Sequence, residues 1–177
     1  FDQTYLFTTY FAQRFGESTL KAWVANDLNS IEGVNAVLEP IGNVRFSELF
    51  FDWSAATFFD GAGKLGYERI TLGEVDRDTV LVSSRIVRSA RLWGADFFVL
   101  DQPGQYDITL ESLGDNDVAA TLLLNAPADR GQITISAPAG GQETVSLYTE
   151  GLQGVAVTSM SGTTEQYAIS FSPGSIV

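Results

Sequence analysis

The sequence predicts an α+β fold in two segregated parts: a helical unit of about four short helices, then an antiparallel β-sandwich of the jelly-roll kind. Apolar residues recur at helical spacing over residues 1–60, and later segments alternate between apolar and polar residues. Turn signals in the second part recur about every ten residues, as in β-sandwiches. The predicted organisation is a helical unit over 1–60, a glycine-rich connection over 61–66 and a sandwich over 67–177.

The first two predicted helices lie on either side of a glycine. An apolar stripe over residues 2–15 comes from phenylalanines spaced four residues apart, Phe7, Phe11 and Phe15. Gly16 is expected to end this helix, because glycine adopts the left-handed conformation that a helix end requires. The second helix follows directly and is expected to end near Asn26.

Two further helices are predicted before residue 60. The third has Asn29 or Ser30 as its cap and is expected to end at Pro40 and Gly42, and an internal glycine, Gly33, weakens it. The fourth has Ser47 near its start and one apolar face packed on the other helices. Its second apolar face is expected to be exposed and to cover something adjacent or absent, through Phe51, Phe58 and Phe59.

Nine strands are predicted in the second part. They span 67–72, 79–87, 90–101, 106–112, 119–125, 132–136, 143–149, 155–159 and 166–171. Alternation is clearest in two of them, 106–112 and 143–149, so one face of each should meet a core and the other water.

Composition excludes several classes of function. The chain has no cysteine and no histidine, which removes disulfides, thiolate zinc sites and the commonest catalytic base and metal ligand. The formal charge of −12 repels phosphate backbones, so nucleic acid is not an expected partner. No apolar run reaches the roughly 20 residues of a membrane span. The composition is typical of a secreted bacterial protein, and the start at Phe1 without a leader suggests a piece of a longer chain.

The packing residues of the first part resemble those of a known enzyme family. They fall into four groups: Tyr5-Leu6-Phe7 with Tyr10, Phe15-Gly16 with Leu20 and Val24, Ile31-Glu32-Gly33-Val34, and Phe46 with Leu49-Phe50 and Asp52-Trp53. This pattern resembles the helical tail of the catalytic domain in secreted bacterial zinc metallopeptidases, the hyicolysin-like and immune-inhibitor-like zincins. In that family such helices follow the zinc site and close its lower half.

The second part resembles the jelly-roll domains appended to secreted peptidases, called pre-peptidase C-terminal domains. The resemblance rests on the run over 90–100, the turn Pro103-Gly104 and the alternating strand over 106–110. Together the two resemblances imply the C-terminal part of a secreted, extracellular metallopeptidase.

The catalytic motif of the family is missing from this chain. A zincin binds its metal through His-Glu-x-x-His, and the chain contains no histidine. The resemblance therefore implies that zinc belongs to a missing N-terminal part of the parent, and that this chain carries no cofactor and is inactive by itself. Its expected partner is that missing catalytic domain or a neighbouring subunit.

Two groups of acidic residues are candidates for a catalytic or a metal site. Glu48 and Asp52 are four residues apart on the fourth helix, as paired acid/base carboxylates would be, although a solvated helix face is the preferred interpretation. Three oxygen side chains in a glycine-led turn, Asp115, Asn116 and Asp117, are weak calcium candidates. A turn that needs Asn and Asp is the preferred interpretation there, because the EF-hand spacing is absent.

Two further groups are candidates for binding. Four of the ten basic residues form a possible docking face for an acidic partner or the missing domain, namely Arg77, Arg85, Arg88 and Arg91. Exposed arginines paired with local carboxylates are the alternative. Trp93 is a possible carbohydrate platform, because it lies beside Gly94 and outside the helical spacing of the other tryptophans.

Three functions follow from these observations. The leading one is a non-catalytic C-terminal portion of a zinc metallopeptidase, in which the sandwich serves stability, secretion or attachment. The alternative is a structural or adhesive subunit of an extracellular assembly, whose last strand, over 166–171, is donated to a neighbour's sheet. The third is a carbohydrate-binding module that uses Trp93.

Overall fold

The fold confirms the predicted α+β class. A computed structural model of the chain describes residues 3–28, 30–60, 66–73, 75–80, 83–100, 104–125, 130–148, 152–160 and 164–174. The chain forms two compact units, Phe1–Val75 and Asp76–Val177. Within the described residues, the first unit contains four helices, and the second contains nine strands in two sheets. Most of the predicted glycine-rich connection lies outside the described residues.

The first two helices agree with the prediction. Helix α1 spans Gln3–Phe15 and helix α2 spans Glu17–Val24. Between them Gly16 has a φ of 85°, a region that glycine adopts without steric strain. Its N–H donates to the carbonyl oxygen of Ala12 at 2.8 Å and closes the last turn of α1. The prediction that Gly16 separates two helices is confirmed.

Helix α3 runs past the proline that was expected to end it. It spans Ser30–Gly42, with Pro40 inside its last turn. A proline this close to the end removes a single hydrogen bond, and the N–H of Asn43 still closes the turn on the carbonyl of Glu39 at 3.3 Å. The helix ends at Gly42, one of the two residues predicted to terminate it, and only the part of the prediction that rests on Pro40 is wrong.

Gly33 in α3 has a packing role that the sequence does not show. A Cβ at this position would lie 2.5 Å from the carbonyl oxygen of Leu28 and 3.5 Å from the ring of Trp23. The chain that follows α2 therefore passes directly over the α3 backbone, and only glycine leaves room for it.

Helix α4 spans Phe46–Phe59 and begins with two side-chain caps. The N–H of Phe46 donates to Oδ1 of Asn35 on α3 at 2.7 Å, and the N–H of Arg45 donates to Oε2 of Glu48 at 3.3 Å. These bonds satisfy backbone donors that have no partner inside the helix. The cap comes from Asn35 and Glu48 rather than from Ser47.

The second face of α4 is not exposed as predicted. Every residue from 53 to 58 is buried, so this stretch is enclosed around its circumference. Phe58 is 3% exposed, while Phe51 and Phe59 are half-buried. The prediction of an exposed apolar face is therefore wrong at Phe58.

Aromatic rings form the centre of the helical unit. The ring of Phe7 on α1 lies 6.2 Å from that of Trp23 on α2, between centroids, and 5.6 Å from those of Phe46 and Trp53 on α4. Phe11 also contacts Trp23, at 5.0 Å. Edge-on and tilted pairs such as these contribute about 0.5–1.5 kcal/mol each beyond the area that they bury. The phenylalanine stripe of α1 therefore holds α2 and α4 together.

The first predicted strand, over 67–72, does not form. The side-chain amide of Gln13 on α1 binds this segment at both ends: its Nε2 donates to the carbonyl of Gly66 at 3.1 Å, and its Oε1 accepts the N–H of Glu68 at 2.8 Å. Tyr67 is 6% exposed, and its ring contacts that of Tyr10 at 6.0 Å. The segment belongs to the helical unit because its aromatic residue is part of that core.

The strands of the second unit match most of the predicted segments. They are β1 Asp78–Val80, β2 Arg85–Arg91, β3 Asp96–Leu100, β4 Gln105–Ser112, β5 Val118–Asn125, β6 Arg130–Ala137, β7 Gln142–Tyr148, β8 Leu152–Ser159 and β9 Thr164–Pro173. The six from β4 onward agree with the prediction within a few residues. The two long strands predicted over 79–87 and 90–101 are instead three short ones, since Ser83 and Trp93 have positive φ and turn the chain.

The two sheets have a jelly-roll arrangement. One sheet has the order β1-β3-β8-β5-β6 and the other the order β2-β9-β4-β7. From β2 onward every strand is followed by a strand of the opposite sheet, except for the β5–β6 hairpin. All pairs are antiparallel except β1 with β3. This double-sheet topology is the one predicted.

The inward faces of both sheets form the core of the sandwich. Strand β4 shows the predicted alternation, with Tyr106, Ile108 and Leu110 buried between less buried neighbours. The outward side chains of this strand are polar, and the Thr109 hydroxyl shares a 2.8 Å hydrogen bond with that of Thr144 on β7. The sheet β2-β9-β4-β7 therefore buries one face and presents polar groups on the other.

Candidate functional site

The paired carboxylates of α4 are both used in contacts that hold the helical unit together. Glu48 caps the start of α4 through Arg45. Asp52 lies 3.5 Å from the guanidinium of Arg14 on α1, between Nη1 and Oδ2. Arg14 also donates to the hydroxyl of Tyr10 at 3.1 Å. The ion pair of Asp52 with Arg14 ties α4 to α1, whereas the Glu48 bond is local to the start of α4.

The acidic turn after β4 is organised by its own hydrogen bonds. Nδ2 of Asn116 donates to Oε2 of Glu165 at 2.7 Å, and Oδ1 of Asp117 accepts the N–H of Ala139 at 3.0 Å. Glu165 is 5% exposed, and its carboxylate contacts Gly114 so closely that a side chain there would overlap it. Of the three calcium candidates Asp115, Asn116 and Asp117, the last two therefore make hydrogen bonds within the sandwich unit.

The predicted arginine face is partly assembled. Arg85 and Arg91 lie on one face of β2, an outer strand of its sheet, and Arg88 lies on the other face, between Ile86 and Ala90; all three arginines are exposed. Arg85 pairs with Glu111 on β4 at 2.7 Å, and Arg88 pairs with Asp78 on β1 at 3.4 Å. The fourth residue, Arg77, is exposed just before β1.

Trp93 does not lie as a flat exposed platform. It has a φ of 52° in the turn between β2 and β3, is half-buried, and its indole nitrogen is enclosed. The backbone N–H of Trp93 donates to the carbonyl of Ser159 at 3.3 Å. The role of Trp93 as a carbohydrate platform therefore stays a prediction, made for a residue that is half-buried.

A groove of about 650 Å³ in the helical unit was not predicted. Its floor is one stripe of α1, and its walls are the start of α2 and residues 68–70. The charged residues among its lining are Glu17 and Lys21 on α2 and Glu68 and Arg69 on the other wall, and their charges cancel. The groove therefore has no preference for ions of either sign. No local pattern indicates this groove, because residues 68–70 are predicted to be part of a strand.

A polar contact between the two sheets was also missed. The hydroxyl of Tyr167 on β9 donates to Oδ2 of Asp96 on β3 at 2.8 Å. Burial raises the pKa of Asp96, while the Tyr167 hydroxyl and the charge of Arg88 act in the opposite direction. Burial, and then the charge of Asp96, raise the pKa of Tyr167 well above its ordinary value. Asp96 was not singled out in the sequence because it stands within an apolar run.

The described residues lack both a metal-binding cluster and a membrane-spanning helix. They contain no group of three or more acidic, His or Cys residues placed to hold a metal ion. Their helices include none that is long and apolar enough to cross a membrane.

Comparison with known proteins gives structural similarities only. No protein-family model and no curated protein sequence matches the chain. The pre-peptidase C-terminal domain of a collagenase from Bacillus anthracis is similar at 14% identity, over 56% of this chain and 98% of that one, with a TM-score of 0.39.

Two other solved structures give comparable values. A structure from the disulfide-linked pili of Bacillus endospore appendages is 14% identical over 50% of this chain and 80% of that one, with a TM-score of 0.37. The Yersinia pseudotuberculosis-derived mitogen is 14% identical over 53% and 87%, also with a TM-score of 0.37. At these TM-scores the similarities support no inference about family or function.

Proposed function

We propose that this chain is a non-catalytic C-terminal portion of a secreted zinc metallopeptidase. In this proposal the helical unit completes the protease fold, and the β-sandwich contributes stability, secretion or attachment. The observation that carries it is that Glu48 caps its own helix and Asp52 pairs with Arg14 on α1, in a chain without histidine or cysteine. Groups that could move protons or bind zinc would then belong to another part of the parent.

The role of the aromatic residues in the helical unit supports this proposal. The packing residues on which the resemblance to zincins rests include buried ones, among them Tyr10, Val34, Leu49, Phe50 and Trp53, whereas Tyr5 and Val24 are exposed. A segment that completes a larger fold contributes packing rather than chemistry. No step of peptide hydrolysis is therefore assigned to a residue of this chain.

The proposal predicts that the purified chain has no peptidase activity. The measurement is cleavage of a quenched fluorescent protein substrate, with zinc added and with zinc removed by a chelator. Cleavage that depends on zinc would overturn the assignment. The coding sequence upstream of Phe1 gives an independent test: a His-Glu-x-x-His motif is expected there, and a signal peptide directly before Phe1 would refute the proposal.

The donated-strand version of an adhesive subunit is not favoured by the structure. The segment 166–171 lies in β9, which is an interior strand of its own sheet. It pairs with β2 over Arg85–Arg91 on one side and with β4 on the other. Donation to a neighbour would break both ladders, so this strand has no free edge to offer.

A further inference from the structure

We propose that the free edge of β2 binds an extended acidic peptide segment of a partner protein by β-strand addition. The inference rests on the topology and charge of β2 and does not depend on the proposed function. Among the described strands β2 pairs only with β9, in an unbroken antiparallel register over seven residues. Its opposite edge pairs with no other described strand. The carbonyl of Val87 accepts a 3.4 Å bond from Nη1 of Arg88, and the carbonyl of Arg91 accepts the N–H of Gly94 at 3.0 Å, so an added strand would displace the first bond and pair with the remaining N–H and C=O groups.

The side chains of β2 leave this edge accessible. Five of its seven residues are exposed, and they are Arg85, Val87, Arg88, Ser89 and Arg91. Val87 is 45% exposed and offers an apolar contact in the middle of the strand. The strand contains no proline and its register shows no bulge, so charge is the device that protects this edge, and its three arginines repel a basic strand but not an acidic one.

The charge pattern determines which partner fits. Arginines stand at every third position of β2, in a chain whose formal charge is −12. If two copies paired antiparallel about Arg88, each Arg85 would face the other copy's Arg91 and the two Arg88 side chains would face each other. Like charges directly opposite destabilise a strand pair, so self-pairing is disfavoured. A strand with carboxylates three residues apart places an opposite charge against each arginine.

The existing ion pairs of Arg85 and Arg88 do not prevent the binding of an acidic strand. Arg85 and Arg88 have side chains that are 51% and 52% exposed, and their partners Glu111 and Asp78 are exposed as well. Exposed ion pairs contribute little to stability, so a partner carboxylate can replace the local one at small cost. Arg91 is also exposed and lies at the end of the strand. We therefore expect Arg91 to make the largest single contribution to binding.

The test measures binding of short labelled peptides to the full chain by fluorescence anisotropy. The probe is Glu-Val-Thr-Glu-Val-Thr-Glu with blocked termini, and one control peptide carries lysine at the three glutamate positions. A second control has the probe sequence with alternate backbone amides methylated, which removes strand pairing and keeps the charge. The acidic probe should bind, and both controls should bind at least about tenfold more weakly. Equal binding of the methylated peptide would overturn strand addition, and equal binding of the lysine peptide would overturn the acidic partner.

Variants of the chain locate the site. Arg91→Glu should weaken probe binding at least about tenfold, whereas Arg69→Glu, at an exposed arginine of the helical unit, should leave it unchanged. If Arg91→Glu lowers the urea midpoint, Arg91→Gln serves instead and should weaken binding about threefold. Unchanged binding by the folded Arg91 variant, or sedimentation showing that β2 pairs with a second copy, would overturn the proposal.

Discussion

Tyr167→Phe tests the contact that joins the two sheets through Asp96. The substitution removes one oxygen atom from a fully buried ring and leaves its edge contact with Phe98, at 6.5 Å, in place. The lost hydroxyl is a donor to a carboxylate whose other electrostatic support is Arg88. The substitution therefore separates the polar contribution of the tyrosine from its packing.

The expected loss follows from the geometry. A hydrogen bond to a charged group stabilises a folded protein by about 1.5–3 kcal/mol. Asp96 is half-buried and keeps some contact with water, so we expect the lower end, a loss of about 1.5 kcal/mol at neutral pH. Asp96→Asn keeps an acceptor and removes the buried charge. In the Asp96→Asn variant the hydrogen bond joins two uncharged groups. Tyr167→Phe should therefore lower stability by only about 0.5–1 kcal/mol in that variant.

The pH dependence has a definite sign. Because the pKa of Asp96 is raised, the folded state holds its proton more tightly than the unfolded state does. Above the raised pKa, the ionised Asp96 carboxylate therefore lowers the free energy of unfolding. As the pH falls toward the ordinary aspartate range near about 4, Asp96 takes up its proton and this loss of stability disappears. Since the hydroxyl supports the ionised form, Tyr167→Phe should cost less at acid pH than at neutral pH.

Hydrogen exchange of peptides that cover β3 and β9 provides a local measurement. It is preferable to global unfolding because a chain of two units need not unfold in one step. The free energies of opening are compared at pH 7.5 and near pH 4.5 for the parent, both single variants and the double variant. The reasoning would be refuted if Tyr167→Phe lowered the free energy of opening by less than about 0.3 kcal/mol at neutral pH. It would also be refuted if the decrease were the same with Asp96 as with Asn at position 96.

Two further predictions concern the helical unit. Burial raises the pKa of Tyr10, so above about pH 10 the unfolded state loses a proton that the folded state keeps, and stability should fall by up to about 1.4 kcal/mol per pH unit. Urea unfolding between pH 9 and 11 should show this slope, and Tyr10→Phe should make it shallower; an unchanged slope would contradict the assignment. Gly33→Ala should destabilise the helical unit by about 2 kcal/mol or more although alanine favours helices, because its Cβ would meet the Leu28 carbonyl. A gain in the urea midpoint of this variant would show that the chain passes less closely over α3.

Local sequence patterns correctly predicted the helices and strands whose limits depend on neighbouring residues in the chain. The stripe of phenylalanines and Gly16 specify α1 and its end through 3.6-residue periodicity and the conformational freedom of glycine. The alternation of Tyr106, Ile108 and Leu110 specifies β4, because successive side chains in a strand point to opposite faces. The turn signals between strands also predicted the positions of β4 to β9, because a turn depends on the residues within it.

The errors occurred where a distant residue decides the outcome. The segment around Tyr67 has a strand-like composition, but Gln13 binds its backbone and the ring joins the helical core. The end of the chain looked like a strand available for donation, yet pairing on both sides makes it an interior strand. Neither contact leaves a periodic signal in the sequence.

The sequence by itself determined the α+β class, the order of the elements and the lack of histidine and cysteine chemistry. Only the tertiary structure decided which groups meet. It placed Glu48 in the cap of its own helix and Asp52 in an ion pair with α1, brought Tyr167 to Asp96, and put three arginines on the outer strand of a sheet among the described residues. The physical reason is that periodicity reports the environment of a side chain along its own element, whereas hydrogen bonds and ion pairs depend on which elements pack side by side.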